Sequence, residues 1–265
     1  MMRWFRGGVR WALCALLFLS NGCAVPLQRS CPRCQALELG RRPAVPFGTR
    51  TVFLLVPGLL GYGWEWDAAQ AELAKIPFAV TLVWPWDPWK SLSQSGDALA
   101  RHVGYLVRRV PDSVDRVVVV GHSAAGLLVL WAASRVFVPS RLSLTMVSVG
   151  APLAGQGFNP WGIPDELRTP LPIALGATFS PWPEPADGVK LRVFVTGPSD
   201  PVMAWHFGHN PGSRVVLPPS AEVVALPNSL DHNFALGEIA KELRSVELSA
   251  RQAVPGKPVW PHAAP

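Results

Sequence analysis

The stretch DRVVVVG, residues 115–121, constrains the fold more than any other part of the chain. It is short, β-branched and apolar at every position from Val117 to Val120. A run of that length without polar alternation reads as a strand buried on both faces. Strands covered on both faces belong to parallel sheets flanked by helices. GHSAAG follows at once, and then LLVLWAAS, an apolar helical segment. The chain therefore passes from a central strand into a buried helix through a turn of small residues that contains a serine. A serine in such a core is a cost unless its hydroxyl is used.

The same alternation extends to both sides. TVFLLV (51–56), FAVTLVW (78–84), RLSLTMVSVG (141–150), KLRVFVTG (190–197) and EVVAL (222–226) read as strands. Helical spacing covers 67–75, 91–110, 124–136 and 233–248. The helix over 91–110 opens on a capping box from Ser91 to Gln94. Leu99, Val103, Leu106 and Val110 form its buried face, and His102 falls on the exposed one. In the last helix Leu236, Ile239, Leu243 and Val246 share a face. Strands alternating with helices predict an α/β fold, a doubly wound and mostly parallel sheet in one domain over 50–248. Residues 152–188 interrupt the pattern with eight prolines in 37 residues. That density forbids a long helix and predicts a short Pro-rich cap insertion lying over one end of the sheet. The tail 249–265 is also Pro-rich and reads as loose.

The amino terminus reads as an export signal. Arg3, Arg6 and Arg10 precede the apolar run WALCALLFLS at 11–20. That run is too short to span a hydrocarbon core of ~30 Å as a helix. NGC at 21–23 closes the segment and resembles a bacterial lipoprotein signal, in which Cys23 becomes the lipidated first residue. Ser20 stands where that pattern has an apolar residue, so ordinary secretion stays open beside lipidation. The expected location is export to the bacterial cell envelope, with lipid anchoring at the membrane if Cys23 is acylated. Residues 24–49, with Pro26, Pro32, Pro43 and Pro46, read as a tether or irregular lead-in. Cys31 and Cys34 form CPRC there. No second CxxC exists for a zinc ribbon, which leaves a local disulfide or two free thiols.

Lys and Arg exceed Asp and Glu by 24 to 18, giving a net charge of +6. The cations are scattered, and this argues against a nucleic-acid partner. A basic excess suits an anionic membrane surface, reached through an N-terminal lipid anchor. Oligomeric state is not readable.

In an open parallel sheet, ligands bind at the carboxyl ends of the strands. The unusual residues gather there: PGLLGYGWEW (57–66), PWDPW (85–89), HSAAG (122–126), APLAGQGFNPW (151–161), PSDPV (198–202) and PNSLDHNF (227–234). A serine on a tight strand-to-helix turn has its hydroxyl pushed out at the sheet edge, and the turn requires small neighbours. Ala124, Ala125 and Gly126 meet that requirement. No cysteine lies in this part of the chain, so a cysteine nucleophile is excluded.

Over residues 50–248 these motifs resemble the α/β-hydrolase family, and within it lipases and esterases. GHSAA matches the G-x-S-x-G nucleophile elbow except at its fifth position, where Ala125 replaces glycine. The resemblance implies the order nucleophile, acid, histidine along the chain, which Ser123, Asp200 and His232 satisfy. Asp200 also fits a turn former in SDP. His206 and His209 are competing bases, but His232 lies between the last strand and last helix, where the family places its base.

The histidine would take the serine proton and pass it to the leaving group, and the carboxylate would hold the imidazole. The backbone N–H groups of Leu59 and Ala124 would form the oxyanion hole, each donor being worth ~3 kcal/mol in the transition state. LVPGLLG is similar to the oxyanion loop of lipases, with Pro57 where the family often has histidine. Leu60, Trp64, Trp86 and Leu153 are the candidate substrate contacts. Trp64, Trp66, Trp84, Trp86 and Trp89 suit an apolar wall for an acyl chain or plain loop packing equally well.

The expected activity is hydrolysis of a lipid or other apolar carboxylic ester through a Ser123 acyl-enzyme, with no metal or cofactor. Thioesterase, amidase and acyltransferase chemistry use the same constellation. A catalytically inactive, hydrolase-like binding lipoprotein of the envelope is the alternative, and a structural lipoprotein is a more distant one.

Overall fold

The computed structural model describes residues 35–36, 43, 45–58, 66–87, 90–153, 181–196, 216–226 and 234–252. The export segment 1–23, Cys31 and Cys34, the body of the Pro-rich insertion and the tail beyond 252 lie outside the described residues. So do Leu59, Leu60, Trp64, Trp89, Asp200, His206, His209 and His232.

Seven strands form one sheet: β1 (Gln35–Ala36), β2 (Thr51–Val56), β3 (Ala79–Val83), β4 (Arg116–His122), β5 (Ser143–Val149), β6 (Val189–Val195) and β7 (Glu222–Ala225). Their order is β1-β3-β2-β4-β5-β6-β7, and every neighbouring pair is parallel. The six expected strands are all present. β1 is an addition, two residues from the stretch 24–49 that pair with Leu82 and Val83 at the edge of the sheet. Two residues are too few to show a period.

Side chains alternate across the sheet and feed two separate cores. On one face Val52, Leu54 and Val56 of β2 and Val117 and Val119 of β4 pack beneath two helices, α2 (Leu92–Arg109) and α3 (Ala124–Ala133). On the other, Phe53, Leu55, Val118, Val120 and Phe194 pack beneath α1 (Asp67–Leu73) and α4 (Phe234–Gln252). The central strand β4 is buried at every position from Val117 to His122. Each fully buried Val, Leu or Phe contributes about 1.5–3 kcal/mol relative to exposure.

The helices form where their sequences dictate. Ser91 accepts from the Gln94 N–H while the Gln94 side chain accepts from the Ser91 N–H, completing the capping box of α2. Leu99, Val103, Leu106 and Val110 are all buried. The last helix departs from expectation at one position. Leu236, Ile239 and Leu243 are buried, but Val246 is 49% exposed and Glu247 only 4%. The buried stripe runs from 243 to 247, four residues on, because a helix turns 3.6 residues at a time. Glu247 is tolerated there because it is paired. It accepts from Thr51 Oγ1 at 2.6 Å, Arg116 Nη1 at 2.6 Å and Arg251 Nε at 2.9 Å. No helix among the described residues is long and apolar enough to cross a membrane.

Candidate active site

Strand order reverses between β2 and β4. The chain leaves β2 towards β3 on one side and leaves β4 towards β5 on the other. Such a reversal opens a crevice at the carboxyl end of the sheet, where ligands bind in doubly wound folds. Val56, the last residue of β2, is level with Gly121 of β4, and His122 is level with Val149 of β5. Pro57–Gly58 and Ser123 therefore emerge side by side at the crevice.

Ser123 is the turn between β4 and α3. Its backbone has φ 54° and ψ −127°, a conformation that L-residues seldom adopt. Among the described residues only Phe78 shares a positive φ without being glycine. Backbone strain of this kind costs of order 1–3 kcal/mol and persists where the surroundings fix it. They do so here from two sides. The Ser123 N–H donates to Val149 O at 2.8 Å, and the Gly126 N–H donates to Ser123 O at 2.9 Å. The Ser123 side chain makes no capping bond to α3, so its hydroxyl is not consumed by the helix it precedes. The first N–H groups of a helix have no intrahelical acceptor, and Ala124 begins α3. A developing anion at Ser123 would meet that N–H.

The turn is tight enough to dictate its glycines. A Cβ on Gly121 would lie 2.5 Å from the Ala125 carbonyl oxygen, and one on Gly126 would lie 2.7 Å from both Ala151 Cβ and Ser148 Oγ. Ala125 itself is fully buried in the core beneath α3. The departure from the elbow pattern at the fifth position is thus accommodated, because the close approach to β5 occurs at the sixth.

Pro57 and Gly58, which follow β2, lie against the elbow. A Cβ on Gly58 would stand 3.2 Å from Ser123 Cβ and 3.6 Å from His122 Nδ1. Leu59, the expected oxyanion donor, is the next residue in the chain. The Trp86 indole N–H, from the loop after β3, donates to the Pro57 carbonyl at 2.7 Å. Trp86 is half-buried, as is Leu153, and both pack against the core beneath α2 and α3. His122 is buried under the site and meets Trp66 edge-on, with ring centroids 6.2 Å apart.

The tryptophans divide. Trp66 and Trp84 are buried in the two cores and serve packing. Trp86 holds a backbone carbonyl. Asp67 is exposed in the first turn of α1, where a negative charge suits the helix dipole. His102 is not on an exposed face. Its ring lies 5.0 Å from that of Trp84, and its Nδ1–H donates to Ala98 O at 2.7 Å. Burial lowers its pKa below the ordinary histidine value, opposed by that backbone bond. Sequence reading missed Gly58 and Ser148. The PG after a strong strand is a visible cue for Gly58. Ser148 has none, because its contact with Gly126 exists only once β5 lies beside the elbow.

No family model matches the sequence, and no curated protein matches it. Solved structures do. A lipase of Bacillus licheniformis, BlEst2 in its mature form, is 13% identical, with 78% of this chain and 95% of that one covered at a TM-score of 0.51. The metagenomic carboxyl esterase MGS0156 is 14% identical over 78% of this chain and 77% of that one, at 0.49. Est1E from Butyrivibrio proteoclasticus is 16% identical over 77% and 90%, at 0.48. Matched to the lipase and read with its parallel sheet, the chain has the α/β-hydrolase fold.

Proposed function

We propose that this protein is a serine hydrolase that cleaves carboxylic esters through an acyl-enzyme on Ser123. The observation that carries the proposal is the backbone of Ser123. A non-glycine residue is held at φ 54° on a strand-to-helix turn, at the point where strand order reverses. Strain there is maintained by two backbone hydrogen bonds and two glycines, and its effect is to present a hydroxyl beside a helix N-terminus. A lipase shares the fold, which agrees with this chemistry.

In the reaction, His232 takes the Ser123 proton as Oγ bonds to the ester carbonyl carbon, and Asp200 holds the imidazole. The carbonyl oxygen becomes an anion received by the N–H groups of Ala124 and Leu59. Its collapse expels the alcohol, which receives the proton from His232. Water then repeats the sequence and releases the acid. Apolar esters are the proposed substrates, on the strength of the apolar residues in the loops that follow the strands, Leu60, Trp64 and Leu153 among them. Export, with lipidation of Cys23, is the proposed location. An intact mass of the mature amino terminus tests it.

The direct test of the chemistry is intact mass after exposure to a fluorophosphonate. A single adduct on the wild-type chain and none on Ser123→Ala is expected, followed by turnover of p-nitrophenyl esters. Folded wild-type protein that takes up no adduct would overturn the mechanism.

A further inference from the structure

The loop after β3 touches the site through one bond whose geometry gives it a role apart from substrate contact. Trp86 Nε1–H donates to the carbonyl of Pro57 at 2.7 Å across 29 residues of sequence. Pro57 and Gly58 are buried, and Gly58 lies against the Ser123 side chain. Proline has no N–H and its φ is fixed, so the Pro57 residue cannot anchor its own loop by donation. Its carbonyl is the polar backbone group that Pro57 itself can offer to a donor from outside the loop. That carbonyl belongs to the Pro57–Gly58 peptide, which lies beside Ser123.

The donor is itself fixed. The Trp84 N–H donates to Leu55 O at 2.9 Å, which ties the loop to β2 two residues before Trp86. The Lys90 N–H donates to Asp87 O at 3.3 Å just before the capping box at the start of α2. The indole ring packs against the core beneath α2 and α3. A rigid aromatic held on both sides thus delivers one hydrogen bond to one carbonyl.

We propose that Trp86 is a positioning residue for the oxyanion loop. It fixes the Pro57–Gly58 peptide, with which the oxyanion loop begins beside the Ser123 side chain. The inference rests on the serine hydrolase reading. It differs from the acyl-wall reading of the same tryptophan, because it assigns the effect to the N–H and not to the ring face. Positioning of a transition-state donor acts on turnover more than on ground-state binding.

The test compares wild type, Trp86→Phe and the isosteric replacement of Trp86 by β-(3-benzothienyl)alanine, which exchanges the N–H for sulfur. Each is assayed with p-nitrophenyl butyrate and octanoate, labelled with a fluorophosphonate and melted. Loss of an oxyanion donor costs about 10²- to 10³-fold in kcat, and a donor left in place but loosely aimed should cost about tenfold. The expected result is that fall in kcat for both variants, with KM within about twofold. The isosteric variant should melt like wild type and still be labelled on Ser123, more slowly. Unchanged kcat would overturn the proposal. So would a rise in KM with altered preference between the two esters, which is the signature of a substrate wall. A fall in activity that only tracks a lower melting temperature would overturn it too. Wild-type protein without adduct or turnover would instead bring down the hydrolase reading itself, and this proposal with it.

Discussion

Ser123 shows how a single residue can be legible in type and opaque in geometry. GHSAAG marks a turn of small residues, but the strained φ appears only in three dimensions. Removing that strain from the folded state should stabilise the protein. Ser123→Gly relieves about 1–3 kcal/mol of backbone strain and loses about 0.5–1 kcal/mol through the freer unfolded chain. A net gain of about 1 kcal/mol in urea unfolding, with activity abolished, is the expected outcome. A net loss would show that the turn is relaxed with serine in place. The neighbouring small residues are not equivalent. Gly126→Ala should destabilise by about 1–3 kcal/mol, because its Cβ would press on Ala151 and Ser148 in a packed core. Ala125→Gly restores the family pattern, yet should lower stability by about 1 kcal/mol and not raise turnover, since it removes a buried methyl from a helix. Denaturation curves beside ester kinetics check both.

Among the elements, α4 and α2 each carry a polar group on the face that packing claims. In α4 that group is Glu247, joined to Thr51 of β2, Arg116 of β4 and Arg251 one turn on. The carboxylate is buried and both guanidinium groups are about one-quarter exposed. Glu247→Ala would leave two cations without their shared partner at the amino edge of the sheet. A loss of about 2 kcal/mol is expected, below the full value for a wholly buried pair because water still reaches the arginines. Val246→Ala, on the exposed side, should change stability by less than about 0.5 kcal/mol. Equal effects would contradict the stripe seen in the structure.

In α2 the group is His102, its ring tilted against that of Trp84 and its pKa lowered by burial. The sign of its pH effect follows from linkage. The unfolded chain protonates His102 at a higher pH than the folded protein does, so in that window the unfolded state binds more protons. The contribution is intact above the unfolded value near 6.5 and is lost as pH falls through that value towards the lower folded one. Stability measured at pH 7.5 and at pH 5.5 should therefore fall less for His102→Gln than for wild type. An identical fall in both proteins would dismiss the effect.

At the scale of the whole molecule, periodicity and residue type fixed the composition of the layers. Uniform apolar runs can be buried only in a two-sided sheet, and helical spacing at 92–109 and 234–252 supplies the apolar faces that cover it. Those properties are local, so the chain determined them by itself: the parallel α/β class, the capped start of α2, and a serine turn after the central strand. Other features depend on what lies opposite in space. The order β1-β3-β2-β4-β5-β6-β7 puts Gly58 beside Ser123 although 65 residues separate them in number. Helical periodicity turns Glu247 inward in place of Val246, and Thr51 and Arg116 at the sheet edge, with Arg251 one turn on, make its burial tolerable. Trp86, readable from sequence only as an apolar side chain near the site, spends its one donor on Pro57. A side chain's neighbours along the chain set its propensity, but its neighbours across the fold set its task, because hydrogen bonds and charges act over a few ångströms of space regardless of distance in sequence.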